Sequence, residues 1–213
     1  MIESKNRAII FDMDGTLVDS SLVLTNAINY VRERLNLPPL SKEVVIENIN
    51  TLNSNFAKFF YNLERIEPIH EKWFKEYYIN FSKDELKLYS GVEEMLKSLK
   101  RDYKLAIATN SYRDSTFKTL ESLDILDYFD EVVSFDDVKE PKPSAKMLYE
   151  VLNRFNLKSK DAIFIGDSKR DEVASKRANI EFIKVAFNSS LNGSVTKPSN
   201  LRLKIEEYFC IIQ

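Results

Sequence analysis

A single cysteine in 213 residues, Cys210, leaves no intramolecular disulfide framework and no multi-cysteine zinc site. Such a chain suits a reducing cytoplasm. Nowhere does it run through some 18 apolar residues, and the opening MIESKNRAII has neither the basic start, the apolar stretch nor the small-residue cleavage site of a secretory leader. Neither an exported nor a membrane-spanning protein is expected. Charge of one sign is also missing, because 31 Lys+Arg stand against 33 Asp+Glu and no global field draws the chain to nucleic acid or an acidic membrane. Glycine is scarce: Gly15, Gly91, Gly166 and Gly193 are all there are, so each should sit where a side chain does not fit. What is present is 44% hydrophobic and 12% aromatic residues, enough for one buried core with a modest insertion.

Short apolar runs punctuate the sequence. Arg7 to Phe11 (RAIIF) ends at Asp12, Asp14 and Gly15, and Lys104 to Ala108 (KLAIA), Glu131 to Phe135 (EVVSF), Ala162 to Ile165 (AIFI) and Glu181 to Val185 (EFIKV) each follow a segment of helical pattern. Two of those segments are clear: Val92, Met95, Leu96 and Leu99 recur at three-and-four spacing, as do Met147, Leu148, Val151, Leu152 and Phe155. Strands alternating with amphipathic helices predict an α/β fold with a parallel sheet covered on both faces.

Between the first two strands lie more than 90 residues, far beyond an ordinary connection, and most of them read as helix. Three stripes stand out: Leu24, Ala27, Ile28, Val31 and Leu35; Phe56, Phe59, Phe60 and Leu63; Ile69, Trp73, Phe74, Tyr77, Tyr78 and Phe81. An inserted helical subdomain is therefore expected at residues 19–83, leaving 1–18 and 84–213 as the core. The aromatic density reads as packing rather than as a base-stacking platform. Near the end, Asn188 to Asn200 (NSSLNGSVTKPSN) reads as a polar loop before a last helix carrying Leu201, Ile205, Tyr208 and Phe209.

The chemistry gathers at the carboxyl ends of the predicted strands, where ligands of open α/β sheets bind. Asp12, Met13, Asp14, Gly15, Thr16 and Leu17 follow the first strand directly. Two carboxylates at i and i+2 permit one nucleophile and one acid that reaches the leaving group, although Asp-Gly is also a common turn. The second strand ends in Thr109, Asn110 and Ser111, a hydroxyl with backbone donors ahead of a helix that can hold phosphate. After the third comes Lys142 between Pro141 and Pro143, a stiffly mounted cation. After the fourth comes Gly166, Asp167, Ser168, Lys169, Arg170, Asp171, whose two acids lie one helical turn apart and suit Mg²⁺. Taken singly, helix caps and an exposed lysine explain the last three features better than chemistry does. Their order, one at each strand end, makes coincidence a poor explanation.

Those motifs, FDMDGTLVDS, TNS, KPKP and GDSKRD, together with SGVEEMLKSLK, resemble the haloacid dehalogenase-like superfamily over nearly the whole chain. The likeness is to its phosphatase branch with a helical cap inserted after the first strand, the branch of phosphoglycolate phosphatase and β-phosphoglucomutase. That resemblance implies a Rossmann-like core and a Mg²⁺-dependent phosphatase of small phosphomonoesters working through an aspartyl phosphate. By the same resemblance Asp12 is the nucleophile, Asp14 the general acid and base, Thr109 and the Asn110 amide the phosphate holders, and Lys142 the charge partner. Asp12, the Asp14 carbonyl and Asp167 are the implied metal contacts, with Asp171 direct or through water.

Departures from family patterns sort the alternatives. Superfamily dehalogenases lack the acid at Asp14, and phosphonate hydrolases use a cap lysine, whereas no lysine occurs between Lys5 and Lys42. Mutases of the β-phosphoglucomutase kind rely on a cap glycine and arginine near Asn48 to Asn55, where this chain reads NINTLNSN. Hydrolysis is thus expected over isomerisation, and a non-catalytic regulator on the same fold is the remaining rival. Ser90 and Asn179 replace the usual proline and glycine near Gly91 and Ala178, and Asn179 can still take the left-handed conformation. The expected cap carries eight Lys/Arg and eight Asp/Glu, so a small phosphorylated metabolite fits better than a polyanion. His70, the lone histidine, reads as a cap-surface residue, and Asn50, Thr51, Asn53, Ser54 and Asn55 read equally as substrate-facing or as an N-cap cluster.

Overall fold

Ala8–Phe11 is a strand (β1) of four residues with no exposed surface, as a continuous apolar run between other strands requires. In this computed structural model, which describes residues 6–49, 51, 55–187 and 195–211, the chain then passes through Val18–Asp19 (β2) into four helices. These are Ser21–Arg34 (α1), Lys42–Ile49 (α2), Phe56–Tyr61 (α3) and Pro68–Glu85 (α4). After Lys87–Leu88 (β3) come Val92–Lys100 (α5), Lys104–Ala108 (β4), Arg113–Ser122 (α6) and Glu131–Val133 (β5). Lys146–Phe155 (α7), Ala162–Gly166 (β6), Lys169–Ala178 (α8), Glu181–Lys184 (β7) and Leu201–Ile211 (α9) complete the chain.

Backbone contacts divide it into two units: Asp19–Lys87, and the segments that end at Val18 and resume at Leu88. The larger unit is a parallel sheet in the order β5-β4-β1-β6-β7, with Ile10 level with Ala106 on one side and Phe164 on the other. Its two faces are buried differently. Ala8, Ile10, Ala106, Ala108, Ala162 and Phe164 pack with Met147, Leu148, Val151 and Phe155 of α7 and with Ala174 and Ala178 of α8. Alternation sends Ile9, Phe11, Leu105, Ile107, Ile163 and Ile165 the other way, and all six are fully buried. On that side α5 packs against β4 and α9, and the Phe11 ring meets Phe129 edge-on at 6.4 Å. Each such large side chain contributes about 1.5–3 kcal/mol by leaving water, so both helical layers are needed.

The third predicted strand stops at Val133, and Phe135–Asp137 forms a 3₁₀ turn instead. There the Asp137 side chain accepts the Ser134 N–H, a local bond that competes with strand pairing. Asn179 takes the left-handed conformation at φ 54°, where its N–H and that of Ile180 satisfy the last carbonyls of α8.

The smaller unit is helical, as its stripes imply, but it holds one helix more than the three read from the sequence. The short α2 buries only Val45 fully, which is too little for a visible stripe. Ile28, Val31, Val45, Phe60 and Tyr61 form the core. Arg32 is buried with them and donates to the Pro38 carbonyl at 2.7 Å and to the Phe60 carbonyl. Phe59, Ile69 and Phe81 are exposed. At 3.6 residues per turn the six apolar residues of α4 spread over half its circumference, wider than one contact face. His70 is not a surface residue: it is buried against Trp73, and its Nδ1 accepts the Glu67 N–H at 3.0 Å near the start of α4. Asn55 caps α3 by accepting the Lys58 N–H, whereas Asn50, Asn53 and Ser54 lie outside the described residues, as do Gly193 and most of the late polar loop.

Candidate active site

Asp12 continues β1 by one more ladder bond, its N–H donating to Ile165 O at 2.8 Å, so its side chain is fixed at the carboxyl edge of the sheet. The Lys142 ammonium lies 2.6 Å from Asp12 Oδ1 and 2.6 Å from Asp171 Oδ1, and all three side chains are buried. Carboxylate oxygens of Asp12, Asp167 and Asp171 all fall within 4.8 Å of one another. Two of the three clustered acids therefore contact the one ammonium.

Electrostatics follow from that count. Burial raises the Asp12 carboxyl well above the usual range, and the like charges of Asp171 and Asp167 add to it against the pull of Lys142. Asp167 is pushed up to about 7, again by burial first and then by Asp171, with the Thr16 hydroxyl opposing at 3.0 Å. Burial alone would lower the Lys142 ammonium, but Asp12 and Asp171 more than offset it and hold it above the ordinary lysine value. An uncompensated cluster of hard oxygen donors is the chemistry that fits a divalent cation such as Mg²⁺.

Local structure explains how each group is held. Asp171 is the third residue of α8, and its Oδ2 accepts the Ser168 N–H at 3.1 Å and the Ser168 hydroxyl, while Ser168 caps the helix in return. The same carboxylate thus starts a helix and steadies Lys142. The Lys142 backbone is clasped by the Asn110 side chain, which donates to Lys142 O at 2.9 Å and accepts the Lys142 N–H at 2.9 Å. Thr109 is buried at the end of β4, and its Oγ1 accepts the Ser111 N–H at 3.1 Å. All six residues read from the motifs, together with Asn110, thus lie at one sheet edge of the larger unit.

Two arrangements were not visible in the motifs. The Asn110 side chain organises the lysine loop, although the resemblance assigns a role only to its backbone amide. The Asp14 side chain stands outside the carboxylate cluster, and its Oδ2 accepts the Ser111 hydroxyl at 2.7 Å. Ser111 was legible only as a hydroxyl beside Thr109 and Asn110; its partner is 97 residues away in sequence.

A parallel sheet in this order, with acids after β1 and β6 and a buried lysine between them, defines a hydrolase core of the haloacid dehalogenase kind. The chain belongs to the haloacid dehalogenase-like hydrolase family, whose sequence pattern matches residues 9–185. Among individual relatives, phosphoglycolate phosphatase of Nitrosococcus oceani is 32% identical over 187 residues, covering 84% of this chain and 83% of that protein. Pyrophosphatase PpaX of Halalkalibacterium halodurans is 27% identical over 181 residues, covering 84% and 83%. A solved structure from Haemophilus somnus, described as a predicted phosphoglycolate phosphatase, superposes with a TM-score of 0.80 at 26% identity over 96% of this chain and 99% of its own. A Thermotoga maritima protein provisionally assigned as β-phosphoglucomutase gives 0.71 at 28% identity, covering 94% and 99%. Among the described residues no helix is long and apolar enough to cross a membrane.

Proposed function

We propose that the protein is a Mg²⁺-dependent phosphatase that hydrolyses a small phosphomonoester through an aspartyl phosphate on Asp12. The observation that carries this reading is the buried Lys142 bridging Asp12 and Asp171 beside Asp167. Asp12 and Asp167, with the Asp14 main-chain carbonyl, would hold Mg²⁺, and Asp171 would contribute directly or through water. When bound, the ion offsets the negative charge of the phosphoryl oxygens.

Asp12 attacks phosphorus in line, the ester oxygen departs, and an acyl phosphate forms on the Asp12 carboxylate. Lys142 faces the charge on the phosphoryl oxygens, and the Thr109 hydroxyl and Asn110 amide orient them. Asp14 gives its proton to the departing alkoxide. It then takes a proton from the water that attacks phosphorus, which releases phosphate and restores both carboxyl groups. One acid serves both halves.

2-Phosphoglycolate is the first substrate to test, because relatives at 30–32% identity carry that activity in their names. Pyrophosphate is the second, from the PpaX relatives. The test is phosphate release with Mg²⁺ across a panel of phosphomonoesters and pyrophosphate, against an Asp12→Asn background. We expect turnover in the wild type and a loss of at least about three orders of magnitude in Asp12→Asn. Full activity in that variant, or no release from any substrate by folded wild type, would sink the proposal. Glucose 1-phosphate with a bisphosphate activator belongs in the panel, since isomerised sugar in place of free phosphate would establish a mutase.

A further inference from the structure

We infer that Ser111 is the positioning residue of the acid and base Asp14, an inference that rests on the phosphatase reading and names the device by which one carboxyl is aimed in both half-reactions. Its hydroxyl lies 2.7 Å from Asp14 Oδ2. The two residues come from loops after different strands, β1 and β4, so the bond ties together two edges of the site that the sheet alone sets side by side. Ser111 is itself fixed at both ends of its backbone. Its N–H donates to Thr109 Oγ1 at 3.1 Å, and its carbonyl accepts the Phe135 N–H at 3.0 Å. A side chain as short as serine, on a backbone held twice, presents its oxygen at one place.

Each acid of the site has its own holder. Lys142 contacts Asp12 and Asp171, the Thr16 hydroxyl lies 3.0 Å from Asp167, and the Ser111 hydroxyl reaches the half-buried Asp14. A carboxyl that transfers a proton must hold its direction to within hydrogen-bond reach of the reacting oxygen. A hydroxyl suits this duty for a specific reason. It donates to a carboxylate and, by rotating, accepts from a carboxylic acid, so it can hold Asp14 before and after the proton moves. An ammonium has no acceptor site and could serve only the ionised form.

The consequence is selective. Losing Ser111 should slow the formation of the phosphoenzyme from an alkyl phosphate, whose poor leaving group needs Asp14 as acid. It should slow that step far less for p-nitrophenyl phosphate, whose leaving group departs with little protonation. The experiment compares wild type, Ser111→Ala and Ser111→Thr with Mg²⁺ present. It measures kcat and KM for the best alkyl phosphomonoester of the panel, and the first-turnover burst of p-nitrophenolate, with thermal melts confirming the fold. For Ser111→Ala we expect kcat on the alkyl ester to fall roughly tenfold to a hundredfold, a part of what general acid-base catalysis contributes, with KM changed by less than about threefold. The p-nitrophenolate burst rate should fall by less than about threefold, and Ser111→Thr should recover most of the alkyl-ester rate. An unimpaired Ser111→Ala, equal losses in the burst and on the alkyl ester, or no recovery in Ser111→Thr would each overturn the inference. A wild type without turnover sinks the phosphatase reading and this inference together; a working wild type beside an unimpaired Ser111→Ala sinks the inference alone.

Discussion

A Cβ placed on Gly15 would lie 2.6 Å from Asp167 Oδ2, and the residue already holds φ +83°, a region that side chains enter at a cost of about 1–2 kcal/mol. Gly166 has no unusual φ, yet its Cβ would meet Asp171 Cβ at 2.6 Å. The scarcity of glycine thus has a cause at these two positions: the chain passes so close to two acids of the site that hydrogen is the largest tolerable side chain. Gly15→Val and Gly166→Val should each lose about 2–4 kcal/mol of stability and most phosphatase activity, read from urea unfolding and from turnover on the best panel substrate. Both variants retaining full stability and activity would show the close approach to be wrong. The order of the motifs at the strand ends nominated Asp12, Asp14, Thr109, Lys142, Asp167 and Asp171 as candidates. What each touches was not legible there: the partner of Ser111 is fixed by sheet registry, and the Asn110 clasp on Lys142 joins residues 32 apart.

At the scale of elements, continuous apolar runs revealed the strands of the parallel sheet, and periodicity revealed the long helices because each buries one face. It missed α2, whose single fully buried side chain leaves no periodic trace. One helix end was legible where a special backbone is needed, at Asn179, and the structure adds two more. Asn62, Asn156 and Asn179 all sit at helix C-termini with φ between 54° and 56°, the residue type best able to replace glycine there. Asn179→Val should therefore cost about 1–2 kcal/mol, whereas Asn179→Gly should be neutral or slightly stabilising, as chemical denaturation of the two variants would measure. Equal stability of Asn179→Val and wild type would remove the argument. α8 carries a second burden at its other end, where Asp171 both closes the capping box with Ser168 and holds Lys142. That helix start and the site are one structure.

For the whole molecule the decisive quantity is the charge balance where three close carboxylates, two of them buried and paired with Lys142, crowd together. Without metal, burial and the Asp171 charge push folded Asp167 up to about 7, whereas in the unfolded chain it has the ordinary aspartate value of 3.8. Between those values the native state holds more protons than the unfolded one, so stability falls as pH rises through the window and stays low above it. In chelator, wild type should be more stable at pH 5 than at pH 8 by an amount on the order of 2–4 kcal/mol relative to Asp167→Asn, in which this slope is absent. Added Mg²⁺ should cancel most of the deficit at pH 8, because a cation that binds only the folded, ionised cluster stabilises it. Parallel pH profiles for the two proteins would contradict this reading.

The sequence by itself determined which elements form and which chemical groups stand at their ends, because hydrophobic period and turn residues act locally and the motifs follow the strands directly. Tertiary structure alone decided which of those groups meet. Strand order and register set Lys142 between Asp12 and Asp171 and set Ser111 against Asp14, and these contacts span between 29 and 130 residues. Clusters of cysteine or histidine and an excess charge of one sign are missing from the sequence. The fold meets the same need by other means, crowding ordinary carboxylates until a single buried lysine no longer balances them.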